Sequence, residues 1–224
     1  MRDEPFNGSK TSSLPSVRVL FDDASAVEDL TSDLDRVLFG LGDRRLTVVC
    51  VGTDRSTGDA FGPIVGTKLK RSSRWPWVEI FGTLDEPVHA VNLASTLEEI
   101  HRTHTASPYI IAVDACLGKF DHVGQIIMEP GPLRPGAGVK KSLPAFGDYT
   151  LTGVVNVSGF MEYFVLQNTR LGIVMRMSDV VVEALLSSFH RLAMRRTFIG
   201  APTDRSTAAS REAQGFPGGT LPAG

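Results

Sequence analysis

Short runs of consecutive apolar, often β-branched residues alternate along this chain with longer segments whose apolar residues recur at helical spacing. The runs predict five strands, at 46–51, 77–81, 109–113, 124–128 and 172–176. The spaced segments predict helices at 24–41, 61–71, 88–104 and 178–195, and the mixed pattern of 152–168 predicts mostly helix. Near-continuous apolar strands between amphipathic helices are typical of a parallel sheet covered on both faces. The fold class expected is therefore α/β, a three-layer α/β/α sandwich around a mostly parallel, mixed sheet.

The two ends of the chain differ from its middle in composition. Residues 1–16 and 200–224 are rich in Ser, Pro, Gly and other small or polar residues without periodicity, so we predict disordered tails around a single domain at 17–199. Lys and Arg number 23 against 25 Asp and Glu, a balance that argues against a nucleic-acid partner. No apolar run approaches the ~20 residues that cross a bilayer, and no secretory signal is recognisable, so we expect a cytoplasmic protein.

Acidic side chains follow two of the predicted strands. Asp59 lies in the Gly-containing loop at 52–63, and Asp114 directly follows the apolar run 109–113. If the two strands are parallel and close in the sheet, these carboxyl groups meet at one edge, where they can share acid and base roles and activate a water molecule. Simpler interpretations stay open at this point: Asp59 as a helix N-cap, and Asp114 as a turn residue.

Other chemistries are less well supported by the residues. The 52–63 loop has neither a Gly-Lys-Ser/Thr ending nor a Gly-x-Gly-x-x-Gly pattern, and Asp54 would repel phosphate. His101 and His104 precede a turn, which favours a solvated helix end over metal ligation, so we expect no metal and no cofactor. Of the two cysteines, Cys50 and Cys116, neither is expected in a disulfide, and both are interpreted as buried hydrophobic residues rather than nucleophiles.

Several uncommon strings occur in order and carry a family resemblance. They are GTDRSTGDAFGP at 52–63, GTLDEPVHA at 82–90, AVDACLG at 112–118, PGAGV at 135–139 and NVSGFME at 156–162. Over about 45–195 the chain resembles the YyaC-type sporulation protein family. That family is itself similar to the spore germination protease, an atypical aspartic peptidase, and more distantly to hydrogenase maturation peptidases. The resemblance implies a phosphorylase/hydrolase-like three-layer sandwich.

The resemblance also implies site residues. The germination protease patterns Thr-Pro-Asp-Ala-Leu-Gly-Pro and Asp-Ala-Leu-Ala resemble 57–63 and 114–117, which assigns Asp59 and Asp114 as the catalytic acids. Maturation peptidases carry a Glu and an Asp at these two positions and a nickel-binding His before a helix, but 148–153 contains no His. We predict substrate contacts from residues near the acids and from the Gly- and Pro-rich loop 130–147: Asp54, Asp85, Glu86, His89, Gly136 and Gly138.

The resulting hypothesis is a sporulation-associated peptidase in which Asp59 and Asp114 activate water. The resemblance implies a protein or peptide substrate, such as small acid-soluble spore proteins, and a spore or forespore compartment. Two alternatives stay open: a non-catalytic binding or scaffold protein on the same fold, and a metal-dependent peptidase of the maturation type. The oligomeric state stays open as well, with a homo-oligomer among the options.

Overall fold

A computed structural model describes residues 16–72, 74–104, 106–135 and 143–199 of the 224-residue chain. The predicted tails therefore lie outside the described residues, except for residue 16, and so do Gly136 and Gly138. Within the described ranges, no helix combines the length and apolar character needed to span a bilayer.

The described chain forms one six-stranded sheet with helices on both faces. The strands are β1 (Val17–Leu20), β2 (Leu46–Cys50), β3 (Val78–Phe81), β4 (Tyr109–Gly118), β5 (Gln125–Pro130) and β6 (Tyr149–Val157). The helices are α1 (Ala26–Leu38), α2 (Phe61–Ser72), α3 (Leu93–Thr103), α4 (Glu162–Gln167) and α5 (Leu171–Ile199). The sheet order is β1-β5-β6-β4-β2-β3. β3, β2, β4 and β6 are parallel, and β5 is antiparallel to both of its neighbours, β6 and β1, so the predicted mixed sheet is confirmed.

Alternate residues of each central strand face opposite layers. In β2, Leu46, Val48 and Cys50 join the core beneath α1, α2 and α5. Val49 faces the other layer, where it packs in a second cluster with Leu93 and other residues of α3. Because every residue of β2 is buried, one face cannot be polar, and the sequence reads as a continuous apolar run. The three-layer α/β/α prediction is confirmed.

Two of the predicted elements are wrong. The segment 152–168 is mostly strand at its start: β6 continues to Val157, because Val154 and Val155 are buried and β-branched residues fit a pleated surface, and only α4 is helical. The predicted strand 172–176 is the beginning of α5. Val174, Met177 and Val181 are buried at helical spacing, which a short apolar run does not reveal by itself.

The elements nearest the ends of the sheet depart from prediction more mildly. β1 was not predicted, since four residues at a sheet edge, with only Val19 buried, give a weak signal. α3 begins at Leu93 rather than at 88, because Val88 pairs with Val51 in an isolated bridge. The side chain of Asn92 then accepts the His89 amide at 2.8 Å, which holds the turn before the helix.

Buried carboxylates join α1 to the rest of the core. The hydroxyl of Tyr149 in β6 donates to Asp33, which also pairs with Arg36 at 2.5 Å. Two residues along, Asp35 accepts the hydroxyl of Ser188 in α5 at 2.6 Å. Both acids are therefore satisfied by hydrogen bonds, as buried charges require.

Candidate active site

The order of the strands creates a crevice between β2 and β4. From β2 the chain passes through α2 to β3 on one side, and then through α3 to β4 on the other side of β2. α2 and α3 lie on opposite faces of the sheet. In α/β sheets, ligands bind at such a reversal, beyond the carboxyl ends of the strands. Asp59 follows β2 and Asp114 belongs to β4, so both acids come from the two strands that flank this point.

Close backbone packing holds Asp59 over the end of β2. The amide of Thr53 donates to the carbonyl of Asp59 at 3.1 Å, which closes the loop on itself. A Cβ at Gly52, where φ is +142°, would lie 2.0 Å from that carbonyl oxygen. A Cβ at Gly62 would lie 2.1 Å from the carbonyl oxygen of Val51. Only glycine fits at these two positions, and the close backbone contacts that they allow fix the position of Asp59.

Asp114 occupies a strand rather than the end of one. β4 extends to Gly118, well beyond the predicted 109–113, and Asp114 pairs with Thr152 of β6. The residue is only 8 % exposed, and its Oδ1 accepts the amide of Ala115 at 2.8 Å. The interpretation of Asp114 as a turn residue is therefore wrong. The strand fixes the direction of its carboxyl group instead.

Asp59 and Asp114 line the same cleft, which has a volume of about 810 Å³. This volume lies within the usual range of small-molecule and cofactor pockets. Its lining includes apolar and charged groups from β4, β5, β6, α4 and the loops. Further residues of the lining are Thr53, Arg55, Ser56, His89, Ala115, Cys116, Leu117, Glu129, Leu133, Arg134, Thr150, Thr152, Tyr163 and Leu166.

The environments of the two acids differ. Burial raises the pKa of Asp114 well above its ordinary value, the charge of Asp59 raises it further, and the Ala115 amide opposes both effects. Burial also raises the pKa of Asp59, but the Thr53 amide and the charges of His89 and Arg55 oppose this rise. Two neighbouring carboxyl groups cannot both ionise freely, so the environment favours a proton on Asp114 and a charge on Asp59.

The other predicted site residues are only partly brought to the cleft. His89 lines it together with the acids. Asp54 and Asp85 are exposed outside the lining, and Glu86 is exposed on the surface, where it pairs with Lys70 at 3.0 Å. The cleft therefore does not include Asp54, Asp85 or Glu86, because the two loops that carry them turn these side chains toward solvent. Gly136 and Gly138 lie outside the described residues.

Several side chains of the lining are absent from the site predicted from the sequence. Ser56 is only 5 % exposed, and its buried Oγ has no hydrogen-bond partner among the described residues. Arg55 precedes Ser56 in the same loop. Thr150 and Thr152 stand on β6, part of which was predicted as helix. The alternation of Thr150, Thr152 and the apolar residues between them is the signal that identifies a strand with one polar face.

Cys116 also lines the cleft, two residues after Asp114 on the same face of β4. Burial, together with the charges of Asp114 and Glu129, raises the pKa of its thiol to about 11. A thiol with this pKa is protonated at neutral pH and is therefore a poor nucleophile. Both cysteines are free, and Cys50 is fully buried. In the part of the chain that the structure describes, no group of three or more His, Cys, Asp or Glu side chains is placed to hold a metal ion.

Comparison with known proteins identifies the family. Residues 18–184 match the family described as "Protein of unknown function (DUF1256)". The chain belongs to this family. It is 51 % identical over 163 residues to "Uncharacterized protein YyaC" of Bacillus subtilis (strain 168), covering 73 % of this chain and 78 % of that protein. The predicted kinship with YyaC-type proteins is thereby confirmed.

A solved structure also matches the DUF1256 chain. It is that of the NiFe hydrogenase maturation protease HycI from Thermococcus kodakarensis KOD1. The match has a TM-score of 0.41 and 17 % sequence identity, and it covers 68 % of this chain and 98 % of HycI. The predicted resemblance to the germination protease stays a prediction.

Proposed function

We propose that this DUF1256 protein is a peptidase of the aspartic type, in which Asp59 and Asp114 activate a water molecule. The observation that supports this most directly is the presence in one cleft of two carboxyl groups, one from the loop after β2 and one from β4, where the charge of one raises the pKa of the other. Pairs of acids whose environments separate their protonation states are the usual means of acid–base catalysis by carboxyl groups.

The two acids take different roles in the proposed reaction. Asp59 is the ionised partner and accepts a proton from the water as the oxygen of the water attacks the peptide carbonyl carbon. Asp114 is the protonated partner and donates its proton to the carbonyl oxygen, which gives a neutral tetrahedral intermediate. The proton held by Asp59 then passes to the leaving nitrogen as the C–N bond breaks. Asp114 recovers its proton from a hydroxyl of the intermediate as the carboxylic acid product forms.

The remaining lining suits a polypeptide substrate. Leu117, Leu133 and Leu166 supply apolar surface, while Arg55, Arg134 and Glu129 add charges of both signs. We propose that the substrate is a protein made during sporulation and that the DUF1256 protein acts on it in the spore or forespore. The small acid-soluble spore proteins are the proposed substrates, on the strength of the family resemblance alone.

Cleavage of a small acid-soluble spore protein, followed by mass spectrometry, tests the proposal. The wild type should release defined fragments, and Asp59→Asn and Asp114→Asn should each lower the rate by at least ~100-fold, the order of magnitude of general acid–base catalysis. Asp54→Asn is the matched control, because it changes an aspartate of the same loop that lies outside the cleft. It should cleave at the wild-type rate.

Two outcomes would contradict the proposal. Equal cleavage by the wild type and both cleft variants would assign the activity to a contaminant. Binding of the spore protein without cleavage would instead support the alternative of a non-catalytic binding or scaffold protein.

A further inference from the structure

Strand β4 continues past the strand beside it. β2 pairs with β4 up to Cys50, which lies opposite Val113, whereas β4 continues to Gly118. The amide of Val51 still reaches the carbonyl of Val113 at 2.7 Å, and the chain then turns away as the Gly52 amide donates to Val88 at 2.8 Å. Beyond this point β4 pairs with β6 on one side. Its other edge faces no strand of the described chain.

The backbone groups on that edge follow from the alternation of the strand. Val113 turns its carbonyl toward β2, so Ala115 and Leu117, two and four residues along, turn their backbone groups to the same side. Gly118 is consistent with this pattern, because its carbonyl accepts the Ser158 amide at 2.7 Å on the β6 side. The amide of Ala115 is already bonded to the Asp114 carboxyl. No strand of the described chain pairs with Ala115 or Leu117 on this side, and none of the loop and turn hydrogen bonds among the described residues involves their backbone groups. On the other side, the register of the pairing with β6 shifts between Cys116 and Leu117.

This edge lies in the cleft that holds the two acids. Ala115 and Leu117 line the cleft together with Asp59 and Asp114. Unpaired strand edges invite the addition of another strand, and proteins usually cover or charge them when they have no such use. Here the edge sits in a recess, beside the group that would carry out the chemistry.

A second and independent observation points to a ligand at the same place. Ser56 is only 5 % exposed and lines the cleft, yet its hydroxyl has no hydrogen-bond partner among the described residues. A buried hydroxyl without a partner costs free energy, so such groups in native proteins call for an explanation. A backbone carbonyl or amide of a bound polypeptide would supply the partner.

We propose that the cleft binds its substrate as an extended polypeptide that adds a strand to the free edge of β4, in the position that β2 leaves after Cys50. The proposal deepens, and rests on, the proposed peptidase function. Main-chain hydrogen bonds to Ala115 and Leu117 hold the substrate backbone beside Asp114, beneath the loop that carries Asp59. In recognition of this kind, main-chain hydrogen bonds provide affinity and pockets for side chains provide specificity. The preferred substrates are therefore unfolded or extended segments rather than folded domains.

Binding of N-methylated peptides tests this mode of recognition. The full chain carrying Asp59→Asn, which prevents turnover, is screened against a library of fluorescent octapeptides. The best binder is then synthesised again with its central amides N-methylated, which keeps its side chains and removes its backbone donors. Strand addition predicts that N-methylation weakens binding by at least ~10-fold, the effect of losing one or two hydrogen bonds. Equal binding of the two peptides, or binding of none in the library, overturns the proposal.

Two substitutions at Leu117 test the same contact from the side of the protein. Leu117→Pro removes the backbone amide, and Leu117→Ala truncates the side chain but keeps the amide. Binding by the Pro variant should be at least ~10-fold weaker than binding by the Ala variant, because one hydrogen bond to the substrate is lost. Circular dichroism establishes that both variants are folded. If the Pro variant is unfolded, the N-methylated peptide decides alone.

The outcome separates the binding mode from the proposed activity. The unmethylated peptide is also incubated with the wild type and followed by mass spectrometry. Selective binding of this peptide without cleavage contradicts the peptidase function but supports strand addition. Cleavage of both peptide forms at equal rates supports the peptidase function but contradicts strand addition.

Discussion

The carboxyl group of Asp59, on the loop after β2, raises the pKa of the buried carboxyl group of Asp114 on β4. Burial of Asp114 acts in the same direction and is the larger cause. The pair therefore retains a proton to a higher pH than either acid alone in water would. Because the two protons are coupled, titration of the cleft belongs to the pair rather than to one residue.

The first prediction is that Asp114→Asn stabilises the protein at neutral pH while it removes activity. The folded pKa of Asp114 is raised, so its charge penalty is absent below the unfolded pKa of about 3.9 and grows as pH rises toward the folded value. Asn keeps an oxygen that accepts the Ala115 amide and carries no charge. Thermal unfolding should show a Tm at least ~2 °C above the wild type at pH 7, with a difference that shrinks toward pH 4.

The double variant with Asp59→Asn provides the control for this prediction. Part of the penalty at Asp114 comes from the charge of Asp59, so the gains in Tm from the two single variants should not add. A Tm gain for Asp114→Asn that is the same at pH 4 and pH 7 would mean that packing, rather than ionisation, is responsible.

The second prediction concerns the dependence of peptidase activity on pH. Activity requires Asp59 ionised and Asp114 protonated, so kcat/KM should rise and then fall with pH. Arg55 lowers the pKa of Asp59, and Arg55→Gln should therefore move the acidic limb of the profile to higher pH. Initial rates on a fluorogenic peptide across the pH range measure the limb.

Arg134→Gln is the matched control for the pH profile. Arg134 is the second arginine of the cleft lining, but it is not among the charges that lower the pKa of Asp59. Its acidic limb should stay at the wild-type pH even if KM changes. A limb that moves equally in both variants would indicate a general field effect instead of the named contact.

The central part of the fold follows from the sequence because burial on both faces leaves an unambiguous pattern. All five residues of β2 are buried, and its apolar run predicts a strand at once. The strand predicted at the start of α5 is wrong for a related reason. Val174 and Met177 are buried on a helix, and a short apolar run fits a buried helix as well as a strand. The edge strand β1 has one buried residue, so there is little pattern to detect.

Asp114 could be singled out from sequence because it directly follows an apolar strand-like run, whereas Asp59, which shares its loop with Asp54, was assigned through the family resemblance. The rest of the lining could not, because it depends on how the loops fold back. Asp85 and His89 lie close together in sequence, yet His89 lines the cleft and Asp85 is exposed. Ser56 gave no signal, since an unpartnered hydroxyl is recognisable only once its neighbours are known.

The third prediction is that Tyr149→Phe destabilises the protein by about 1.5–3 kcal/mol, the usual range for a hydrogen bond to a charged group. Tyr149 and Asp33 are both fully buried, and the Tyr hydroxyl donates to the carboxylate. Its loss leaves the buried charge with fewer donors. Urea unfolding gives the free energy, with Tyr163→Phe as control because Tyr163 is exposed and its hydroxyl accepts a hydrogen bond from Gln167 on the same helix.

The Tyr163→Phe control should change the free energy of unfolding by less than ~0.5 kcal/mol, as expected of a surface site. If both substitutions have the same small effect, the Tyr149–Asp33 hydrogen bond contributes nothing to stability. The attachment of α1 to the sheet would then depend on apolar packing alone.

The fourth prediction contrasts two buried hydroxyl groups, that of Ser56 in the cleft and that of Thr67 in α2. Ser56 has no hydrogen-bond partner among the described residues, whereas Thr67 donates to the Pro63 carbonyl and accepts the Leu84 amide, both at 2.8 Å. Ser56→Ala should therefore leave the free energy of unfolding unchanged or raise it by up to ~1 kcal/mol. Thr67→Val leaves the part-buried Leu84 amide without its acceptor and should lower the free energy of unfolding by about 1–3 kcal/mol.

The effect of Ser56→Ala on activity should be opposite to its effect on stability. If the Ser56 hydroxyl bonds the substrate backbone, Ser56→Ala should lower kcat/KM for peptide cleavage by roughly 10-fold, the effect of one lost hydrogen bond. A group that improves stability when removed, yet weakens catalysis, is retained for its contact with substrate. A Ser56→Ala variant that loses stability and keeps full activity would show that this hydroxyl has a structural role, and the second support for a ligand beside β4 would be lost.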